Sequence, residues 1–187
     1  KRMRPNYALL GTPRINSKGL NTSAIMGFCN TLHEVLTKEQ PDYIGVAFDH
    51  GKTFRDEAFP QYKAQREATP EDIRASVPVI KNILTAMHIP VLQANGFEAD
   101  DVIGTLATKA GKEGITTYML TPDKDYGQLV TDNVFMFRPR HGGGYETMGP
   151  AEVCEKYSLN STTQVIDLLA LMGDSADNFP GCPGVGP

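Results

Sequence analysis

Apolar residues recur at helical spacing in three stretches of the chain. Ile25, Phe28, Cys29, Leu32, Val35 and Leu36 predict a helix over 22–38, with Asn21, Thr22 or Ser23 as candidate caps. Ile73, Val77, Ile80 and Leu84 predict a second, running to about Met87. Its start is written in Thr69-Pro70-Glu71-Asp72: a cap, a proline at the first position and acids in the first turn. Val102, Ile103, Leu106 and Ala110 predict a third from Ala99 to about Lys112. Short apolar runs lie between them. Ile44–Phe48, Val91-Leu92, Ile115–Leu120 and Val134–Phe137 read as strands, and Gly142-Gly143-Gly144 as a turn before Tyr145-Glu146-Thr147. Asp125–Val130, Pro150–Tyr157 and Thr163–Met172 read as further helices, and 173–187 as a Gly/Pro-rich tail. Strands alternating with helices imply an α/β fold, a mostly parallel central sheet flanked by helices in three layers. No strand precedes the first helix.

Composition adds little to that pattern but excludes several classes. The 187 residues suffice for one domain, with 40% hydrophobic and 21% charged residues. The 18 Gly and 13 Pro show no period, so the chain is neither collagen-like nor, in the main, disordered. No apolar run approaches the roughly 18 residues of a membrane helix. Cys29, Cys154 and Cys182 are odd in number and far apart, which suits a reducing cytosol better than a disulfide framework or a zinc site. The net charge of −4 hides an asymmetry: Lys1, Arg2, Arg4, Arg14 and Lys18 share residues 1–18 with no acid.

The acids fall where an α/β fold binds ligands, beyond the carboxyl ends of strands. Asp49 follows the run 44–48, Asp123 and Asp125 follow 115–120, and Glu98, Asp100 and Asp101 open a helix. Asp174 and Asp177 follow the helix 163–172. Taken singly, each has a plain structural explanation: helix complement, cap or Asx turn. Taken together, eight carboxylates at one sheet edge would repel one another unless cations neutralise them. Oxygen donors without His or Cys select Mg²⁺ or Mn²⁺, and two such ions suit phosphodiester cleavage. Phosphate-binding glycine loops and a Gly-x-Ser-x-Gly elbow are missing, and His33, His50, His88 and His141 are scattered. In 50–68, Lys52, Arg55, Lys63 and Arg66 could reach phosphates, and Phe54 or Tyr62 could stack on a base. The competing reading is that Phe59 and Tyr62 anchor a solvated helix.

Six motifs in order carry a resemblance. They are Phe48-Asp49; Lys52-Thr53-Phe54-Arg55; Tyr62-Lys63 with Arg66; Glu98-Ala99-Asp100-Asp101-Val102-Ile103-Gly104; Asp123-Lys124-Asp125 with Gln128-Leu129; and Ala170–Asn178. From about Arg4 to Gly186 the chain closely resembles the 5′-nuclease domain of bacterial DNA polymerase I, within the flap endonuclease family. The resemblance implies a PIN-like 5′-nuclease core spanning 1–187 as a single domain, in a bacterial cytoplasm. It implies a nuclease acting on 5′ ends or flaps of DNA, including RNA primers, with a polymerase domain in the same parent chain. Asp49, Glu98, Asp100 and Asp101 would serve one metal ion, and Asp123, Asp125, Asp174 and Asp177 a second. Asp49, Asp101, Asp125 and Lys63 would be catalytic, Lys63 polarising the scissile phosphate. Arg4, Lys52, Arg55, Tyr62, Lys63 and Arg66 would contact DNA, most of them from a helical arch at about 50–68. The family's first strand, with a further metal-ligating Asp, is expected before residue 1. Residues 181–187 match the beginning of a helix-hairpin-type module that binds duplex DNA and K⁺. Two rivals follow: an inactive DNA-binding remnant lacking that first Asp, and an α/β phosphatase using Asp49 as nucleophile. The second is weakened by Gly51, which stands where such enzymes carry another Asp.

Overall fold

The computed structural model describes residues 13–140 and 142–185. Arg4, with nearly all of the segment 4–13 read as a helix and its exit, lies outside the described residues. In chain order the helices and strands are α1 (Ser23–Glu34), β1 (Val46–Ala47), α2 (Phe54–Ala58), α3 (Glu71–Ala86), β2 (Val91–Leu92), α4 (Ala99–Lys112), β3 (Thr117–Leu120), β4 (Val134–Pro139), β5 (Tyr145–Met148), α5 (Pro150–Tyr157) and α6 (Val165–Met172). A π-helical turn, Val35–Glu39, extends α1, and 3₁₀ turns cover Lys124–Leu129 and Thr162–Gln164. The fold class is α/β, as the alternation predicts. Contacts group the described residues into two compact units, 13–48 with 65–92 and 49–64 with 93–185.

The first unit pairs β1 with β2 in parallel, Val46 opposite Val91 and Ala47 opposite Leu92. Its core is Leu32, Ile80, Leu84 and Ile89, with Phe28, Val46, Phe48 and Val91 packed around them. Of these, Phe28 and Leu32 on α1 and Ile80 and Leu84 on α3 are positions whose spacing predicts the two helices, so burial of one stripe on each accounts for both. Asn21 caps α1 by accepting the Ser23 N–H at 3.0 Å, and its amide donates to Asp72 in the first turn of α3, also at 3.0 Å.

The second unit holds β3 and β4 in parallel, with β5 antiparallel to β4. The antiparallel edge departs from a wholly parallel sheet for a simple reason: too few residues separate β4 from β5 for a crossover, and Gly142, Gly143 and Gly144 turn there with positive φ. The core of this unit is Ala107, Met119, Tyr126, Val130, Val134, Met136, Met148, Val153 and Val165. The segment 50–68 contains no single helix across its length. Thr53 and Asp56 cap α2, the Thr53 N–H donating to Asp56 Oδ2 at 2.7 Å and the Thr53 hydroxyl at 2.9 Å. The helix then stops before Phe59-Pro60, since a residue preceding proline is pushed out of the helical region. Turns follow to residue 65, with no regular structure over 66–70.

Candidate functional site

All eight acids singled out by the sequence belong to the second unit. They enter it from three places in the chain. The first is the N-terminus of α4. The Ala99 N–H donates to Asp49 Oδ1 at 2.8 Å, so Asp49 satisfies one of the orphan donors of that helix. The Glu98 N–H donates to Asp101 Oδ2 at 2.9 Å. Asp101 also takes a fork from Arg55, Nη1 to Oδ2 at 2.6 Å and Nη2 to Oδ1 at 2.8 Å. The hydrogen bond from Arg55 holds the Asp101 carboxyl below its usual range, and the same bond makes the guanidinium still harder to deprotonate. Both oxygens of Asp101 are thus engaged by protein donors. Glu98 is engaged too, by the Tyr62 hydroxyl at 2.9 Å on one oxygen and Lys63 Nζ at 2.5 Å on the other.

The second place is the turn after β3. Asp123 accepts the Asp125 N–H at 3.0 Å, capping the 3₁₀ turn. Asp125 itself carries a buried Oδ1 with no hydrogen-bond partner. Burial, then the charge of Asp123 and those of Asp174 and Asp177, push its carboxyl up to about 6 against the opposing pull of Lys124. Asp100 reaches solvent, yet crowding by protein raises its carboxyl as well, helped by Asp123, Asp49 and Glu98 and opposed by a 2.7 Å hydrogen bond from the Tyr126 hydroxyl.

The third place is the loop after α6. Asp174 and Phe179 exchange backbone hydrogen bonds of 2.9 and 2.8 Å, closing its neck. Gly173 (φ +74°) and Gly181 (φ +67°) make that closure possible, because a Cβ on either would lie 2.5 Å from the backbone of the opposite strand of the loop. Asp174 Oδ2 sits 2.8 Å from Lys124 Nζ. Residues 59–63 dock onto this loop: Phe59 stacks on Phe179 with centroids 5.4 Å apart, the Asn178 amide donates to Gln61 O at 2.8 Å, and the Lys63 N–H donates to Asp177 O at 3.2 Å. Lys63 adopts φ +53° there, a costly conformation for a non-glycine residue.

The acids therefore face one another as like charges. Asp100 feels Asp49, Glu98 and Asp123, and Asp125 feels Asp123, Asp174 and Asp177. Among the described residues, no three His, Cys, Asp or Glu side chains are arranged to hold a metal ion as they stand. The donor set still fits a hard cation: all its donors are oxygens, and the buried, unpartnered Asp125 oxygen is a donor in want of a positive partner.

The other site residues named from the sequence divide. Lys52 is exposed in this unit. Arg66 is exposed and belongs to the first unit, and Arg4 lies outside the described residues. The reading of Tyr62 as a stacking platform needs correction. Its residue is 7% exposed, its ring packs against Phe179 and its hydroxyl is held by Glu98, so it anchors the segment instead. Tyr126 is a residue that sequence reasoning passes over; it reads as part of a short helix, and nothing in its spacing points its hydroxyl at Asp100.

The family described as "5′-3′ exonuclease, N-terminal resolvase-like domain" matches residues 3–158. DNA polymerase I of Bacillus caldotenax is 42% identical over 173 residues, covering 91% of this chain and 20% of that protein. A 5′-3′ exonuclease of Aquifex aeolicus is 41% identical over 176 residues, covering 94% of this chain and 60% of its own. The chain thus spans about a fifth of the polymerase and three fifths of the exonuclease. Among solved structures, T5 5′-exonuclease with bound zinc superposes with a TM-score of 0.68 at 26% identity, covering 86% of this chain and 62% of that one. Motifs, fold and relatives meet in one conclusion: the chain belongs to the family of 5′-3′ exonuclease N-terminal, resolvase-like domains.

Proposed function

We propose that this chain is a divalent-metal-dependent 5′-nuclease that hydrolyses phosphodiester bonds at 5′ ends or flaps of DNA, RNA primers included, as part of a DNA polymerase I. The observation that carries the reading is the Asp125 carboxylate, buried and unpartnered at Oδ1 while facing Asp123, Asp174 and Asp177. Mutual repulsion in such a cluster favours cations among its oxygens. Asp49, Glu98, Asp100 and Asp101 would hold one Mg²⁺ or Mn²⁺, and Asp123, Asp125, Asp174 and Asp177 a second. Bound there, the ions supply activation of water and stabilisation of the leaving oxygen.

The chain's own residues do the rest. Lys63 holds a positive charge against Glu98 at the edge of the acid set, where it can meet a phosphate oxygen. Asp101 also fixes Arg55, and through it the start of α2. Lys52 and Arg66, both exposed, each offer a phosphate contact. The likeness to T5 5′-exonuclease with bound zinc, and to the polymerase and exonuclease relatives, supports the same chemistry.

The test is cleavage of a 5′-labelled flap duplex with Mg²⁺ or Mn²⁺, with EDTA as control. The expected result is metal-dependent release of the 5′ strand, lowered about 10²-fold or more in Asp125→Asn or Asp174→Asn. DNA binding without cleavage at any metal concentration would overturn the nuclease reading and leave a binding remnant.

A further inference from the structure

We infer that Tyr126 is a positioning residue for Asp100: its hydroxyl holds Oδ1 of that carboxylate and leaves Oδ2 as the oxygen open to a divalent cation. The inference rests on the metal-site reading above. Tyr126 is 3% exposed, and its ring belongs to the buried cluster with Ala107, Met119, Val130 and Val134. Core packing, not solvent, therefore decides where its hydroxyl lies, and that place is 2.7 Å from Asp100 Oδ1. A tyrosine phenol is protonated at neutral pH, so it stays a donor.

The partner needs such a donor. Asp100 shares its surroundings with Asp49, Glu98 and Asp123, and a carboxylate free to rotate would swing away from them. Lysine could hold it, as Lys63 holds Glu98, but an ammonium competes with a cation for the same charge. A neutral hydroxyl fixes the orientation and favours the ionised form without adding positive charge. Outer-sphere hydrogen bonds of this kind tune the affinity of the ion they serve.

The experiment titrates Mn²⁺ onto the whole chain without DNA and follows free Mn²⁺ by electron paramagnetic resonance. Thermal melts are recorded for each variant alongside. Phenylalanine keeps the ring and removes only the oxygen. Tyr126→Phe is expected to weaken one class of Mn²⁺ site by roughly 10–100-fold and leave the other unchanged. In an Asp100→Asn background the same substitution should make no further difference. Unchanged Mn²⁺ affinity in Tyr126→Phe, or an equal loss in both backgrounds, would overturn the inference and leave Tyr126 a core residue. A wild-type chain that binds no Mn²⁺ would instead remove the metal-site reading itself.

Discussion

Asp101 and Arg55 show what a residue's partners add to its place in a motif. The motif places Asp101 among the metal ligands; in the structure its oxygens also accept a guanidinium fork and the Glu98 N–H. A planar, five-donor group is what that fork requires, and lysine cannot reproduce it. Arg55→Lys and Asp101→Asn should each lower stability by about 1–2 kcal/mol, discounted for the partial exposure of the pair. Urea denaturation without metal measures this, and the double variant should cost little more than either single one. Clear additivity would show that the two residues act separately. Asp125 is the opposite case. Its place after an apolar strand was legible in the sequence, but its unpartnered oxygen was not, because burial of one atom depends on packing from distant segments.

At the level of elements, what could be read from the chain was what repeats along it. The apolar stripes of α1 and α3 and the runs of β1 to β4 have a local period, and burial enforces it; in α4 the buried positions are instead Gly104 and Ala107, with Leu106 exposed. The region 50–68 lacks such a period, and its form follows instead from Phe59-Pro60 and from the docking of Phe59 and Tyr62 on Phe179. That docking joins residues more than a hundred positions apart, which no spacing rule reports. The loop 173–181 is the element on which Asp174 depends, and its two glycines make a sharp contrast with Gly104 in α4. Gly173→Ala would set a Cβ 2.5 Å from the Gly181 nitrogen at a positive φ, and should cost about 1–3 kcal/mol or more. At Gly104 a Cβ would meet only the tip of Leu129 at 3.0 Å, and helix propensity gains about 1 kcal/mol, so Gly104→Ala should be close to neutral or stabilising. Chemical denaturation of the two variants should rank them in that order, and Gly173→Ala should also weaken Mn²⁺ binding.

For the molecule as a whole, the sequence conveyed fold class and family through six ordered motifs. No described helix is long and apolar enough to cross a membrane, in keeping with the composition. Each compact unit is assembled from two separated stretches, so the chain crosses between them after residues 48, 64 and 92. Cutting it once in the exposed stretch around Arg66 would therefore not separate one unit from the other. Each piece would carry part of both: β1 on one and β2 on the other, Arg55 and Lys63 on one and Asp101 and Glu98 on the other. Trypsin nicking there should give two bands under denaturing electrophoresis but a single particle of unchanged size on native gel filtration. The polypeptide's continuity at that point is dispensable for cohesion, and the nicked protein would hold together by the same buried stripes and ion pairs that formed it.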